Sequence, residues 1–153
     1  MQIDTDALDE QIIAALAEDG RLSFKELART LGVADGTIRS RVTRLTESGL
    51  IHIGAMRNPF RQERGLNAFV GMELEKRTHR QTMEQIAALP GVVSVANVTG
   101  NYDLLVEVYL ESREKLNDFL FTELAMVDGI RATETFLLLE AKNKWIPGVH
   151  FET

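Results

Sequence analysis

Arg39, Arg41 and Arg44 fall within six residues, inside the run GVADGTIRSRVTRL. Guanidinium groups at that density donate to phosphate oxygens and, in pairs of hydrogen bonds, to guanine edges. Beside them Gly36 adds little bulk, and Thr37, Ser40 and Thr43 add small hydroxyl donors, which is what a helix needs to approach a DNA major groove. The plain alternative is a solvated helix face, the ordinary fate of surface charge. Catalytic chemistry has less to work with. His52, His79 and His150 are scattered, with no acid–base cluster around them, and no HExxH, P-loop or nucleophile elbow occurs. With no cysteine there is no disulfide, no thiolate zinc site and no cysteine nucleophile. No catalytic residue and no metal ligand is therefore assigned. His52 reads as a wing residue, and Trp145, beside Ile146-Pro147, as a residue that packs a C-terminal tail.

The elements that must carry the arginines follow from periodicity. From Asp6, apolar Leu8, Ile12, Ile13 and Leu16 share one helical stripe, with Asp6 and Asp9 as an acidic start. Ser23 and Glu26 have capping-box spacing and open a second helix with Leu27, Ala28 and Leu31 inward, closed by Gly32. A third helix is predicted over about 35–48. Ile38, Val42 and Leu45 form its core stripe; Gly36, Ser40, Thr43 and Arg44 lie opposite, with Thr37 and Arg39 on the flanks. Arg41 falls near the core boundary, where it orients or meets phosphate at best. Three helices in this order read as a helix-turn-helix, and Leu50, Ile51 and Ile53 as a short strand of a small wing hairpin.

Charge is segregated in the same way. The whole chain of 153 residues carries a formal −6. Residues 1–36 set eight acids against Arg21, Lys25 and Arg29, a net −5. Residues 37–64 set six arginines against Glu47 and Glu63, a net +4, and residues 65–153 set eight basic groups against thirteen acids, a net −5. A phosphate backbone responds to charge within about 8 Å at physiological salt, so the local sign outweighs the total. A hydrophobic fraction of 44% fits a globular protein. No run approaches the roughly 20 apolar residues of a membrane span, and the first ten residues lack signal-peptide character, so the expectation is a cytoplasmic protein with no membrane partner.

The period changes after the polar, basic RNPFRQERG, read as a linker over 57–65. Leu66 to Leu74 is predicted as a strand with Ala68, Val70, Met72 and Leu74 on one face. A helix from about Thr78 follows, with Met83, Ile86, Ala87 and Leu89 inward. Strands are then predicted over 92–99 and 102–110, a helix from Ser112 with Leu116, Phe119, Leu120 and Leu124 inward, and a last strand over 131–141. The order βαββαβ is the ferredoxin-like arrangement, so the fold class is α+β: a winged helix-turn-helix over 1–56, then a ferredoxin-like domain over 66–153. Two helices cover one face of such a sheet. Phe69, Leu105, Tyr109, Phe136 and Leu138 would then lie bare on the other, and a second copy of the chain is the expected cover.

Three stretches carry a family resemblance. DALDEQIIAALAEDGRLSFKELARTLGVADGTIRSRVTRLTESGLI resembles the reading head of the Lrp/AsnC (feast/famine) transcription regulators. LPGVVSVANVTGNYDLLVEV and TETFLLLEAK resemble the effector-binding half, the RAM domain. The resemblance spans nearly the whole chain. It departs at Ala34-Asp35-Gly36, where the family more often has serine and proline, and an acid there repels phosphate while suiting cytosine N4. The resemblance implies a regulator that binds double-stranded DNA, dimers that assemble further into octamers, an amino-acid effector and no other cofactor. It places effector contacts at Gly100, Asn101, Tyr102 and Asp103, with Thr133, Glu134 and Thr135 as a second wall. The turn amides suit a carboxylate and Asp103 suits an ammonium group. A bare hairpin turn explains Gly100 and Asn101 equally well. Two alternatives share the fold: a siroheme-decarboxylase-like enzyme, and an architectural DNA binder without a ligand.

Overall fold

The computed structural model describes residues 3–75 and 79–148. The chain divides into two compact units, Met1–Ala55 and Met56–Thr153. In the first, α1 (Ala7–Glu18) begins at a reciprocal box. Asp6 Oδ1 accepts from the amides of Leu8 and Asp9, each at 3.0 Å, and Asp9 Oδ2 accepts from the Asp6 amide at 3.1 Å. Ser23 and Glu26 repeat the device at α2 (Phe24–Leu31), which ends on Gly32 with φ +69°, a left-handed turn that side chains resist. The third helix, α3 (Asp35–Glu47), starts at Ala34 without any side-chain cap. Ile12, Leu27, Ala28, Ile38, Val42 and Leu45 are buried between the three helices. Each helix is near or below the ~12–15 residues at which isolated helices become marginal, so this shared core holds them.

The expected wing is not formed. Residues 50–55 contain no strand, because the amides of Leu50 and Ile51 both donate to the Leu45 carbonyl, at 3.1 and 3.3 Å, prolonging the end of α3. His52 is therefore an exposed residue of an irregular segment and not of a hairpin.

The second unit opens with β1 (Met56–Arg57), which pairs antiparallel with β6 (Ile146–Pro147), and a short 3-10 turn at Pro59–Arg61. Residues 57–65 are thus built into the second unit and do not form a loose linker. The main sheet has the order β3-β4-β2-β5, all antiparallel: β2 (Leu66–Leu74), β3 (Val92–Asn97), β4 (Leu104–Leu110) and β5 (Ile130–Leu137). One face is covered by α4 (His79–Ala87) and by α5 (Arg113–Asp118) with its π- and 3-10-helical continuation to Met126. Ala68, Val70, Met72, Leu104, Val106 and Val108 meet Ile86, Phe119 and Leu124 there. Thr82, and not Ala87, is the second buried position of α4; the predicted start at Thr78 lies outside the described residues.

The other face is less bare than expected. Tyr109 is fully buried, its hydroxyl donating to Gln62 Oε1 at 2.9 Å and lying 3.3 Å from the Arg64 carbonyl. Phe69, Leu105 and Leu138 are half-buried. The chain itself supplies this cover: Lys144 crosses the face, its Nζ 2.6 Å from Glu107 Oε1 and 5.5 Å from the centre of the Phe69 ring. Ile146 is buried while Trp145 is 55% exposed, so the tail is anchored by the isoleucine and not, as expected, by the tryptophan. β5 stops at Leu137 because β2 offers no ladder beyond its first residues; one last bond, Leu138 N–H to the Asn67 carbonyl at 2.9 Å, closes the register.

Candidate nucleic-acid interface and effector site

On α3 the core stripe fixes what faces outward. With Ile38, Val42 and Leu45 buried, Gly36, Arg39, Ser40, Thr43 and Arg44 are exposed and Thr37 is half-exposed. Gly36, Arg39, Ser40 and Thr43 recur at helical spacing, so they form one continuous strip. The three arginines have different partners. Arg41 Nη1 reaches both Asp6 oxygens at 2.6 Å and Asp9 Oδ1 at 2.9 Å. Arg44 Nη2 lies 2.5 Å from Asp9 Oδ2. Arg39 instead lies over the Phe24 ring, 5.3 Å from its centre, with a loose 3.7 Å approach to Asp35.

Asp9 is the acid at the centre of this network and is 1% exposed. Burial pushes its carboxyl up, but hydrogen bonds from Arg44, the Asp6 amide and Arg41 outweigh that and lower it to about 2. Asp6 is lowered too, chiefly by the Arg41 hydrogen bond, and Arg41 is raised in return. Two of the three arginines therefore tie α3 to the start of α1. That pairing is written in the acidic sign of residues 1–36 beside the basic window, but charge totals alone do not say which acid meets which base.

The turn before β4 gathers part of the expected effector set. The Tyr102 ring lies against Gly71 of β2, where an added Cβ would meet three of its ring atoms at 2.7–2.8 Å. It packs edge-on to Phe136, with centroids 6.1 Å apart, and its hydroxyl donates to Glu134. That carboxylate raises the phenol's pKa, with burial and charge adding to it, so the hydroxyl stays a donor. Gly100 and Asn101 are exposed in the loop. Asp103 is already engaged. Its Oδ2 accepts the Leu74 amide at 2.8 Å beside the bulge in β2, and its own amide donates to the Met72 carbonyl at 2.8 Å. An aspartate at the head of a strand, unexplained by a hairpin turn, is here the cap of an irregular strand end.

The second wall is divided by the pleat. Glu134 is paired with Gly71 and shares its face, whereas Thr133 and Thr135 are paired with Met72 and Val70 on the helix-covered face. Thr133 and Thr135 therefore do not join Glu134 beside Tyr102 within one chain, a correction that alternation along a strand requires. Among the described residues no group of three or more His, Cys, Asp or Glu is placed to hold a metal ion.

Known proteins match both units. Residues 6–46 match the AsnC-type helix-turn-helix domain, and residues 67–144 the Lrp/AsnC ligand binding domain. An uncharacterized HTH-type transcriptional regulator of Pyrococcus abyssi is 37% identical over 94% of this chain and 91% of its own. The structure of E. coli AsnC is 26% identical, covering 91% of this chain and 95% of its own, with a TM-score of 0.68. A transcriptional regulator of Neisseria meningitidis, solved as its L-Met complex, is 22% identical over 90% of this chain and 91% of its own, with a TM-score of 0.66, and shares the fold. With an AsnC-type helix-turn-helix domain and an Lrp/AsnC ligand binding domain matched one after the other along it, the chain belongs to the Lrp/AsnC family and is a transcriptional regulator.

Proposed function

We propose that this protein binds duplex DNA sequence-selectively through the outward strip of α3, and that its assembly or DNA affinity responds to an amino acid held beside Tyr102. The observation that carries the first half is the strip itself: Gly36, Thr37, Arg39, Ser40 and Thr43 face outward while Arg41 and Arg44 turn back to α1. Small residues admit the groove edge, hydroxyls read base edges, and Arg39 supplies the guanidinium. Arg44 serves this surface by fixing the helix that presents it.

For the effector, the Tyr102–Phe136 corner suits an apolar side chain, Glu134 an ammonium group, and the exposed turn residues Gly100 and Asn101 a carboxylate. Asp103 shapes the turn. The relative solved with L-Met shares this fold and supports the choice of an amino acid. A dimer is proposed on two of the apolar residues left exposed in the second unit, Phe136 at the end of β5 at 43% and Leu139 just beyond it at 85% exposure, with further assembly into octamers. Thermal unfolding with a panel of free amino acids tests the effector half, because a ligand preferring the folded form raises the melting temperature. Stabilisation by one or a few amino acids, lost in Glu134→Ala, is expected; a flat panel leaves a ligand-independent DNA binder. Retention of randomised duplexes on the full chain at low salt tests the other half, and no sequence enrichment would overturn it.

A further inference from the structure

Arg39 is the one arginine of α3 whose guanidinium is not tied to α1, and it rests on an aromatic ring supplied by a different helix. We infer that Phe24 is a positioning residue for DNA recognition: its ring is a shelf that holds the Arg39 guanidinium flat, with its N–H edge free for a base or phosphate. This rests on the proposed DNA-facing strip of α3.

Stacking and ion pairing use different parts of a guanidinium. An ion pair consumes the in-plane N–H donors, as Asp9 does with Arg44 at 2.5 Å. A ring beneath the guanidinium, here 5.3 Å from the Arg39 Cζ to its centre, consumes none of these donors, so they stay available for bidentate contact. The competing acid, Asp35, stands 3.7 Å away, beyond hydrogen-bonding distance and half-exposed, so a phosphate or guanine edge displaces it readily. The shelf is rigid for reasons visible in its neighbours. Phe24 is the first residue of α2, directly after the Ser23 cap, whose Oγ accepts the Glu26 amide while Glu26 Oε2 accepts the Ser23 amide at 2.9 Å. It is half-buried and packs against the core of Ile12, Leu27, Ala28, Ile38 and Val42. A side chain held this way gives up less freedom when its donors meet DNA. Charge alone would be served as well by lysine, which cannot stack in this manner or present a fork.

The test uses the full chain and one short duplex recovered by the unmodified protein from a randomised pool, with affinity measured by fluorescence anisotropy over a range of salt. Phe24→Leu keeps an apolar plug and removes the ring; it is expected to weaken binding about 3-fold, the scale of an exposed cation–π contact. Phe24→Tyr is expected to restore it. Arg39→Lys, which leaves the core untouched, is expected to weaken binding in the parent but not in the Phe24→Leu background, with the salt slope unchanged. Melting curves of each variant separate this from loss of folding. If Arg39→Lys costs the same in both backgrounds, or Phe24→Leu binds as the parent does while Arg39→Ala is weakened, the shelf is refuted and the DNA-facing strip stands. If Arg39→Ala binds as the parent does, the strip and the shelf fall together.

Discussion

Asp9 shows how one side chain can be claimed by several duties. It closes the capping box of α1 with Asp6, and it neutralises two arginines, one of which, Arg44, the helical wheel places on the DNA-facing side. Removing one partner of a buried ion pair leaves the others uncompensated, so Asp9→Asn should destabilise the protein by about 2 kcal/mol in denaturant titrations. Because its carboxyl is lowered in the folded state, the contribution is fully present above the ordinary carboxylate value of 3.8 and is lost as pH falls through about 2. Melting temperatures of parent and Asp9→Asn should converge across that window. Equal stability at neutral pH would show that the network contributes nothing. Arg44→Ala should likewise lower the melting temperature while leaving the salt dependence of DNA binding nearly unchanged, whereas Arg39→Ala should flatten it. A reversed pattern would return Arg44 to the DNA-contacting strip.

At the scale of elements, the pleat and the ladder decide what each strand can offer. Glu134 reaches Tyr102 and its two threonine neighbours do not, because adjacent side chains leave opposite faces of β5. Gly71 is the place on β2 where the Tyr102 ring can lie flat against the sheet, and the ring atoms crowded by an added Cβ include Cγ, which cannot swing aside. Gly71→Ala should therefore displace Tyr102 from Glu134 and abolish any amino-acid-induced stabilisation, with the circular dichroism of the fold retained. A preserved response would place the effector elsewhere. The missing wing has the same kind of cause: Leu50, Ile51 and Ile53 have strand-like side chains, but the end of α3 takes the first two amides.

For the molecule as a whole, burial is shared between what one chain can cover and what it leaves. Residues 57–65 and the tail from Leu138 to Pro147 close over much of the second sheet face, and the Lys144–Glu107 pair fastens that cover. Lys144→Met should leave Glu107 buried without its cation and cost about 2 kcal/mol, most of it recovered by adding Glu107→Gln. Denaturant titrations of the four-member cycle measure this, and strict additivity would deny the coupling. The same strap sets how much apolar surface remains for a second copy, so the Lys144 variants should also alter the concentration dependence of assembly seen by sedimentation. Among the described residues no helix is long and apolar enough to cross a membrane.

The amino-acid sequence by itself determined the three helices of the first unit and the βαββαβ order of the second. Local signals suffice for that: Ser23 with Glu26 marks α2, the spacing of Ile38, Val42 and Leu45 turns α3, and alternation along Ala68, Val70 and Met72 assigns the inner face of β2. These depend on neighbours a few residues apart, which periodicity reports. The partners of Arg41 and Arg44, the cap that Asp103 supplies to β2, the burial of Tyr109 and the Lys144 strap were decided only by the tertiary structure. Each joins residues some thirty or more positions apart, and no local pattern tells an arginine whether an acid or a phosphate will reach it first.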